Sequence, residues 1–155
     1  IGALVTKNAQ VIETVMKYSQ ARLSPPTLEQ IAAEAALSLP ANYFDATRAE
    51  YEHRRQTLVN RLTKMKGVFC PTPHGAFYAM AKLPVKDTDH FCMWLLTDFR
   101  KDNATIMLAP GSGFYITPGH GKQEVRLAYV LNSEEIEKAM DCLEAALETY
   151  HLCNF

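Results

Sequence analysis

The chain has 155 residues, 48% of them hydrophobic and 21% charged, which is enough to bury one sizeable core. A formal net charge of -1 and a sequence pI near 6.6 exclude the strongly basic footprint that nucleic acid or an anionic membrane surface demands. No apolar run reaches the length of a bilayer-spanning helix and no secretory leader pattern opens the sequence, so a cytoplasmic protein is expected.

The opening Ile1-Gly2-Ala3-Leu4-Val5-Thr6 reads as a buried strand without a polar lead-in, the pattern of a piece of a longer protein. Val11, Ile12, Val15 and Met16 recur at helical spacing and predict a short amphipathic helix over residues 7–19. Ser24-Pro25-Pro26 combines a capping hydroxyl with first-turn prolines, and Leu28, Ile31, Ala32, Ala35 and Leu39 continue that second helix to Pro40.

The longest periodic stretch runs over residues 42–66. Phe44, Tyr51, Leu58 and Met65 fall seven apart, Thr47 and Leu62 fill intermediate positions, and Gly67 follows as a C-terminal stop. Arg48, Glu50, Glu52, Arg54, Arg55 and Lys64 occupy its other face, which is expected to be solvated. Beyond Gly67 the pattern shifts to short runs punctuated by Pro and Gly. A strand is expected at 76–80, then a helix capped by Asp87 or Thr88 and carrying Phe91, Cys92, Leu95, Leu96 and Phe99, then a short strand at 106–108.

The Gly- and Pro-rich stretch from Ala109 to Lys122 is too long for an idle connection, and loops of that kind tend to be functional or mobile. It leads into a strand at 124–130. Asn132-Ser133-Glu134-Glu135 then resembles a capping box before a closing helix lined by Ile136, Ala139, Met140, Leu143, Ala146, Leu147 and Tyr150. Strands interleaved with helices after a helical lead-in indicate an α/β arrangement of α+β character: a small, mainly antiparallel sheet covered by helices, with a long connecting helix. Cys70, Cys92, Cys142 and Cys153 form no C-x-x-C pair and are expected to be reduced and mostly buried.

Arg126 carries the most chemical information. Val125, Leu127 and Tyr129 share one face of the last strand, leaving Arg126 on the other with Ala128. An arginine between apolar neighbours is either paired to a carboxylate within the protein or kept for one outside it, because a buried, unpaired guanidinium is prohibitively costly. Sequence statistics alone favour the internal pair, and the preceding loop shifts the balance toward the second role, since it can fold over a ligand held by the strand. Other residues carry less. His53, His74, His90, His120 and His151 show no metal-ligand spacing, and Cys142, His151 and Cys153 make only a weak metal pattern, so no metal site is expected. His120 sits in the loop near Arg126, Phe77, Tyr78, Phe114 and Tyr115 are candidate pocket linings that also suit core packing, and Ser24 before a helix suits simple capping better than phosphate binding.

Three segments in this order and spacing resemble the class I and II pyridoxal-phosphate-dependent aminotransferases of the aspartate aminotransferase type. They are His74-Gly75-Ala76-Phe77-Tyr78, Ala109-Pro110-Gly111-Ser112-Gly113-Phe114, and Val125-Arg126-Leu127-Ala128-Tyr129 leading into Asn132-Ser133-Glu134-Glu135. The resemblance implies that residues 1–40 are the tail of a large cofactor-binding domain and 41–155 a small C-terminal domain. It implies that Arg126 grips the substrate α-carboxylate, and that Ile1-Gly2 end an Arg-x-Gly element whose arginine, like the Schiff-base lysine before it, lies upstream of Ile1. No lysine present stands in the family's Ser-x-x-Lys context. The parent enzyme would then move an amino group between an amino acid and a 2-keto acid as a homodimer using pyridoxal 5'-phosphate. This stretch alone would be inactive and hold no cofactor stably. Residues 115–123 look enlarged against shorter versions of the family. Two alternatives stay open: a free-standing, non-enzymatic binding or oligomerisation module, and a related pyridoxal-phosphate lyase or synthase.

Overall fold

The structure, a computed structural model, describes the backbone of residues 1–153 and side chains through residue 151. It divides into two compact units, Ile1–Phe44 and Asp45–Phe155. In the first unit, α1 (Ala9–Arg22) starts where the Asn8 side chain accepts from the backbone N–H of Gln10 and Val11, and it runs past the expected Ser19. Helix α2 (Thr27–Leu37) begins at Thr27 with Pro26 as its cap residue and no side-chain capping bond, so Ser24 is not the cap. Both Ser24 and Pro25 precede a proline, which disfavours helical backbone at each of them. Residues 1–6 are irregular rather than a strand, because no described segment supplies the ladder partner a strand requires. None of the first unit's residues is buried.

The second unit holds the core. Helix α3 (Asp45–Leu62) is shorter than the expected 42–66: residues 41–44 form turns, and past Leu62 the chain tightens into i to i-3 bonds from Lys64 to Arg61 and from Met65 to Leu62. The turns end at Gly67 with φ +78, where an added Cβ would stand 3.0 Å from Pro84. Strand β1 (Tyr78–Lys82) starts two residues later than expected because 74–77 bend and Ala76 takes a left-handed φ of 57. Asp87 caps α4 (Thr88–Thr97) through the N–H groups of Asp89 and His90. The expected strand at 106–108 is instead the two-residue β2 (Ala109–Pro110), since the chain meets its partner only there and proline ends the ladder. A 3-10 turn (Gly111–Phe114) follows, then β3 (Glu124–Ala128) and α5 (Ser133–Cys153).

The three strands form an antiparallel sheet in the order β1-β3-β2, with β3 central. Alternation along β3 sends Val125 and Leu127 into the core with Tyr129 just beyond them, where they meet Ala79 and Ala81 of β1, Leu58 and Leu62 of α3, Phe91 and Leu95 of α4, and Ile136, Met140, Leu143 and Leu147 of α5. The fold is thus a small antiparallel sheet covered by helices on one face.

The charged face of α3 is not simply solvated. Arg54 and Arg55 are half-buried and donate to the carbonyls of Val130 (2.7 Å) and Pro73 (3.2 Å). Arg61 reaches Glu137, Asp141 and Glu144 of α5. Long aliphatic stems let these arginines lie along the core rim while their heads find partners. Cys70, Cys92 and Cys142 are free, buried thiols, and burial raises each above its ordinary titration range. Cys153 lies outside the residues whose side chains are described.

Candidate functional site

The sheet face away from the helices carries Tyr78, Met80 and Lys82 from β1, Glu124, Arg126 and Ala128 from β3, and Ala109 from β2. Arg126 stands at the centre, opposite Met80 on one side and Ala109 on the other. Its guanidinium carbon lies 4.7 Å from the centre of the Tyr78 ring and 4.8 Å from that of Phe114. A cation over the negative face of an aromatic ring gains about 0.5–1 kcal/mol at a partly exposed site. Two such contacts hold the head in place without using its N–H donors. Among the described residues no carboxylate forms an ion pair with Arg126.

Phe114 reaches Arg126 because the loop is pinned at its base by two glycines. A Cβ on Gly111 would stand 2.7 Å from the Glu124 carbonyl oxygen, and one on Gly121 would stand 2.5 Å from the Gly111 oxygen. Gly121 also has a φ of +73, which disfavours any side chain. From this loop the Tyr115 hydroxyl donates to the Glu124 carboxylate, and that bond is the main cause of its phenol being raised above the ordinary range, with burial and the nearby negative charge adding to it. His120 lies beside the Tyr115 ring, 5.9 Å between centres.

The approach to β1 is clamped as well. The Tyr129 hydroxyl, buried at 2% exposure, donates to the Ala76 carbonyl at 3.0 Å, while Arg55 holds the Pro73 carbonyl. The Arg55 Nε is buried without a hydrogen-bond partner. Phe77 packs on Tyr78 at 4.4 Å between ring centres and on Tyr51 at 6.2 Å, so it supports the site from behind rather than facing Arg126. His90 Nδ1 lies 2.7 Å from the Tyr150 hydroxyl at the α4–α5 contact, beside a cleft of about 540 Å³ also lined by Lys86, Gln123 and His151. Among the described residues no group of three potential ligands could hold a metal ion.

Two of these features escape the sequence pattern. The pairing of Tyr115 with Glu124 depends on how an irregular loop folds back, and the bond from Tyr129 to Ala76 spans 53 residues. The left-handed backbone at Ala76 has only the neighbouring Gly75 as a signal.

Comparison with known proteins fixes the relationship. The sequence profile of the family described as Aminotransferase class I and II matches residues 1–143. The chain belongs to that family. This aminotransferase chain is 30% identical to an aspartate aminotransferase of Rhizobium meliloti, the match covering 94% of this chain and 36% of that protein. With an aspartate aminotransferase of Bacillus subtilis (strain 168) it shares 28% identity over 85% of its length and 33% of the relative's. The solved alanine aminotransferase from Pyrococcus furiosus superposes with a TM-score of 0.75 at 29% identity, covering 92% of this chain and 36% of the other. The chain therefore spans about a third of the length of the relatives it matches.

The donor set on the open face suits a carboxylate and does not fit pyridoxal phosphate itself. Lys82 is the one lysine in the three strands, and it stands opposite Glu124. The face offers one free guanidinium and aromatic rings, with no cluster of donors to cradle a phosphate. Among the described residues no helix is long and apolar enough to cross a membrane.

Proposed function

We propose that the full-length protein is a pyridoxal-phosphate-dependent aminotransferase that moves an amino group between an amino acid and a 2-keto acid, with this stretch as its C-terminal part and Arg126 as the α-carboxylate grip. The observation that carries the reading is the Arg126 guanidinium, held by two rings on an open sheet face and left unpaired by every described carboxylate. Its planar edge offers two parallel N–H donors to two carboxylate oxygens, which fixes the orientation of the amino acid as well as its position. Orientation matters to rate, because the bond to be broken must be aligned before it can react.

The cofactor is proposed to be held by residues upstream of Ile1, and this stretch alone is proposed to be inactive. Residues 1–40 fit the tail of a large domain: α1 and α2 expose Ile12, Met16, Leu28 and Ile31 and bury no side chain. A cytoplasmic homodimer remains the expected form of the whole enzyme.

The test is Arg126→Ala in the full-length protein, assayed for keto-acid-dependent amino transfer. Losing two charge-assisted bonds should lower kcat/KM by at least about 100-fold. Unchanged turnover would remove Arg126 from the site. Activity that needs no keto acid would move the protein to the related lyases or synthases.

A further inference from the structure

We propose that the loop carrying Phe114 and Tyr115 keeps Arg126 available to substrate by occupying the carboxylate that would otherwise compete for it. The proposal rests on the reading of Arg126 as the carboxylate grip. Glu124 is the only acidic residue in the three strands, and it lies two positions from Arg126 on the same face of β3. Side chains so related stand about 7 Å apart at their origins, within reach of a Glu and an Arg that extend toward each other. A Glu124 carboxylate held by nothing else would be within reach of two cations, Lys82 opposite it on β1 and Arg126 along the strand, and whenever it paired with Arg126 an incoming carboxylate would have to displace it.

The structure shows a different arrangement. Tyr115 donates its hydroxyl to the Glu124 carboxylate, while its neighbour Phe114 covers the Arg126 guanidinium. Adjacent residues of one loop thus hold the acid and the base of the strand apart. The loop can do this because Gly111 and Gly121 let its two ends meet at Glu124, where no side chain would fit. Tyr115 and Glu124 are positioning residues in this account, acting on the substrate only through Arg126.

The experiment compares Tyr115→Phe, the double variant Tyr115→Phe with Glu124→Gln, and Arg126→Ala in the full-length holoenzyme. It measures KM and kcat for both amino acid and keto acid, and the binding of 3-phenylpropionate, a carboxylate that cannot react, by calorimetry. Tyr115→Phe should raise both KM values and the Kd of 3-phenylpropionate by about fivefold, the size of a freed surface ion pair, with kcat changed less than about twofold. Adding Glu124→Gln should bring both back to within about twofold of the parent, because a neutral amide no longer competes. If the hydroxyl merely braces the loop, Glu124→Gln will not restore binding, and the proposal is overturned. It is equally overturned if Tyr115→Phe leaves KM and Kd unchanged while Arg126→Ala abolishes activity, a result that leaves the carboxylate-grip reading intact. Should Arg126→Ala itself be silent, both fall together. Tyr115 is exposed and the change to Phe removes a single oxygen, so the fold is retained, and thermal melting of each variant verifies it.

Discussion

Tyr129→Phe removes one hydroxyl from the core and leaves the ring in place, so its effect isolates the clamp on the loop before β1. The hydroxyl donates to the Ala76 carbonyl at 3.0 Å, and the Gly75 carbonyl lies at 3.5 Å, too long to count for much. A neutral hydrogen bond contributes about 1 kcal/mol net, and Ala76 is exposed, so water can take over its carbonyl and keep the loss near that value. The second half of the test is Ala76→Gly. At φ 57 an alanine costs about 1–2 kcal/mol, and glycine removes that cost while adding about 0.4–1 kcal/mol of unfolded-chain entropy, for a net gain of about 0.5–1 kcal/mol. For a unit of this size the two changes should shift Tm by about 3–6 °C downward and about 2–5 °C upward respectively. Trp94 is the single tryptophan and contacts Phe91, Phe99 and Tyr150 in the core, so its fluorescence during urea unfolding reports on this unit. An unchanged midpoint for Tyr129→Phe, or a lowered one for Ala76→Gly, would refute the account of a strained turn held by a buried phenol.

Three further predictions concern charge. Arg61→Met removes the cation that joins Glu137, Asp141 and Glu144 of α5 to α3, leaving three carboxylates repelling along one helix; Tm should fall by about 3 °C in low salt and by less in 1 M salt, and a salt-independent change would contradict it. The hydrogen bond from Arg61, followed by its charge, holds the Asp141 carboxyl below the usual range. A depressed folded value means stability that is present above the unfolded pKa and lost as pH falls through the folded one, so Asp141→Asn should flatten the urea midpoint against pH below about pH 4. On the alkaline side, burial and then the charge of Asp89 push the Cys92 thiol up to about 11. The folded protein keeps that proton while the unfolded chain has released it, so stability should decline from about pH 9 toward 11, and Cys92→Ala should lessen the slope by up to about one proton. A slope identical in both proteins would show that other groups carry it.

What could be read from the sequence divides along a physical line. Elements whose pattern is local were legible: the periodic face of α5 places Ile136, Met140, Leu143, Ala146, Leu147 and Tyr150 in the core, Asp87 and Asn132 accept backbone bonds at helix starts, and the alternation in β3 separates Arg126 from Val125 and Leu127. Strand ends were not, because a strand stops where its partner stops. Residues 106–108 have the composition of a strand, yet pairing with β3 begins only at Ala109. The arginines of α3 misled for a related reason. A run of charges along a helix looks solvated until the chain folds, and only then do Arg55 and Arg61 meet Pro73 and α5. At the site, Arg126 could be placed on the correct face of its strand, whereas the rings that hold it come from residues 48 and 12 positions away, by way of a bend and an irregular loop.

The first unit shows the converse case, a legible pattern with no core to complete it. Helices of 14 and 11 residues are near the length at which an isolated helix is marginal in water, so each depends on burying its apolar face. Of the residues that define those faces, Val11, Ile12 and Met16 in α1 and Leu28 and Ile31 in α2 are exposed, and none is buried. Burying each such side chain is worth about 1.5–3 kcal/mol, several times what caps and helix propensity supply. The free energy that would make these helices stable must therefore come from apolar surface contributed by other residues. That requirement is why residues 1–40 are proposed as part of a larger domain, while the sheet and its three helices have a core of their own from which to present Arg126.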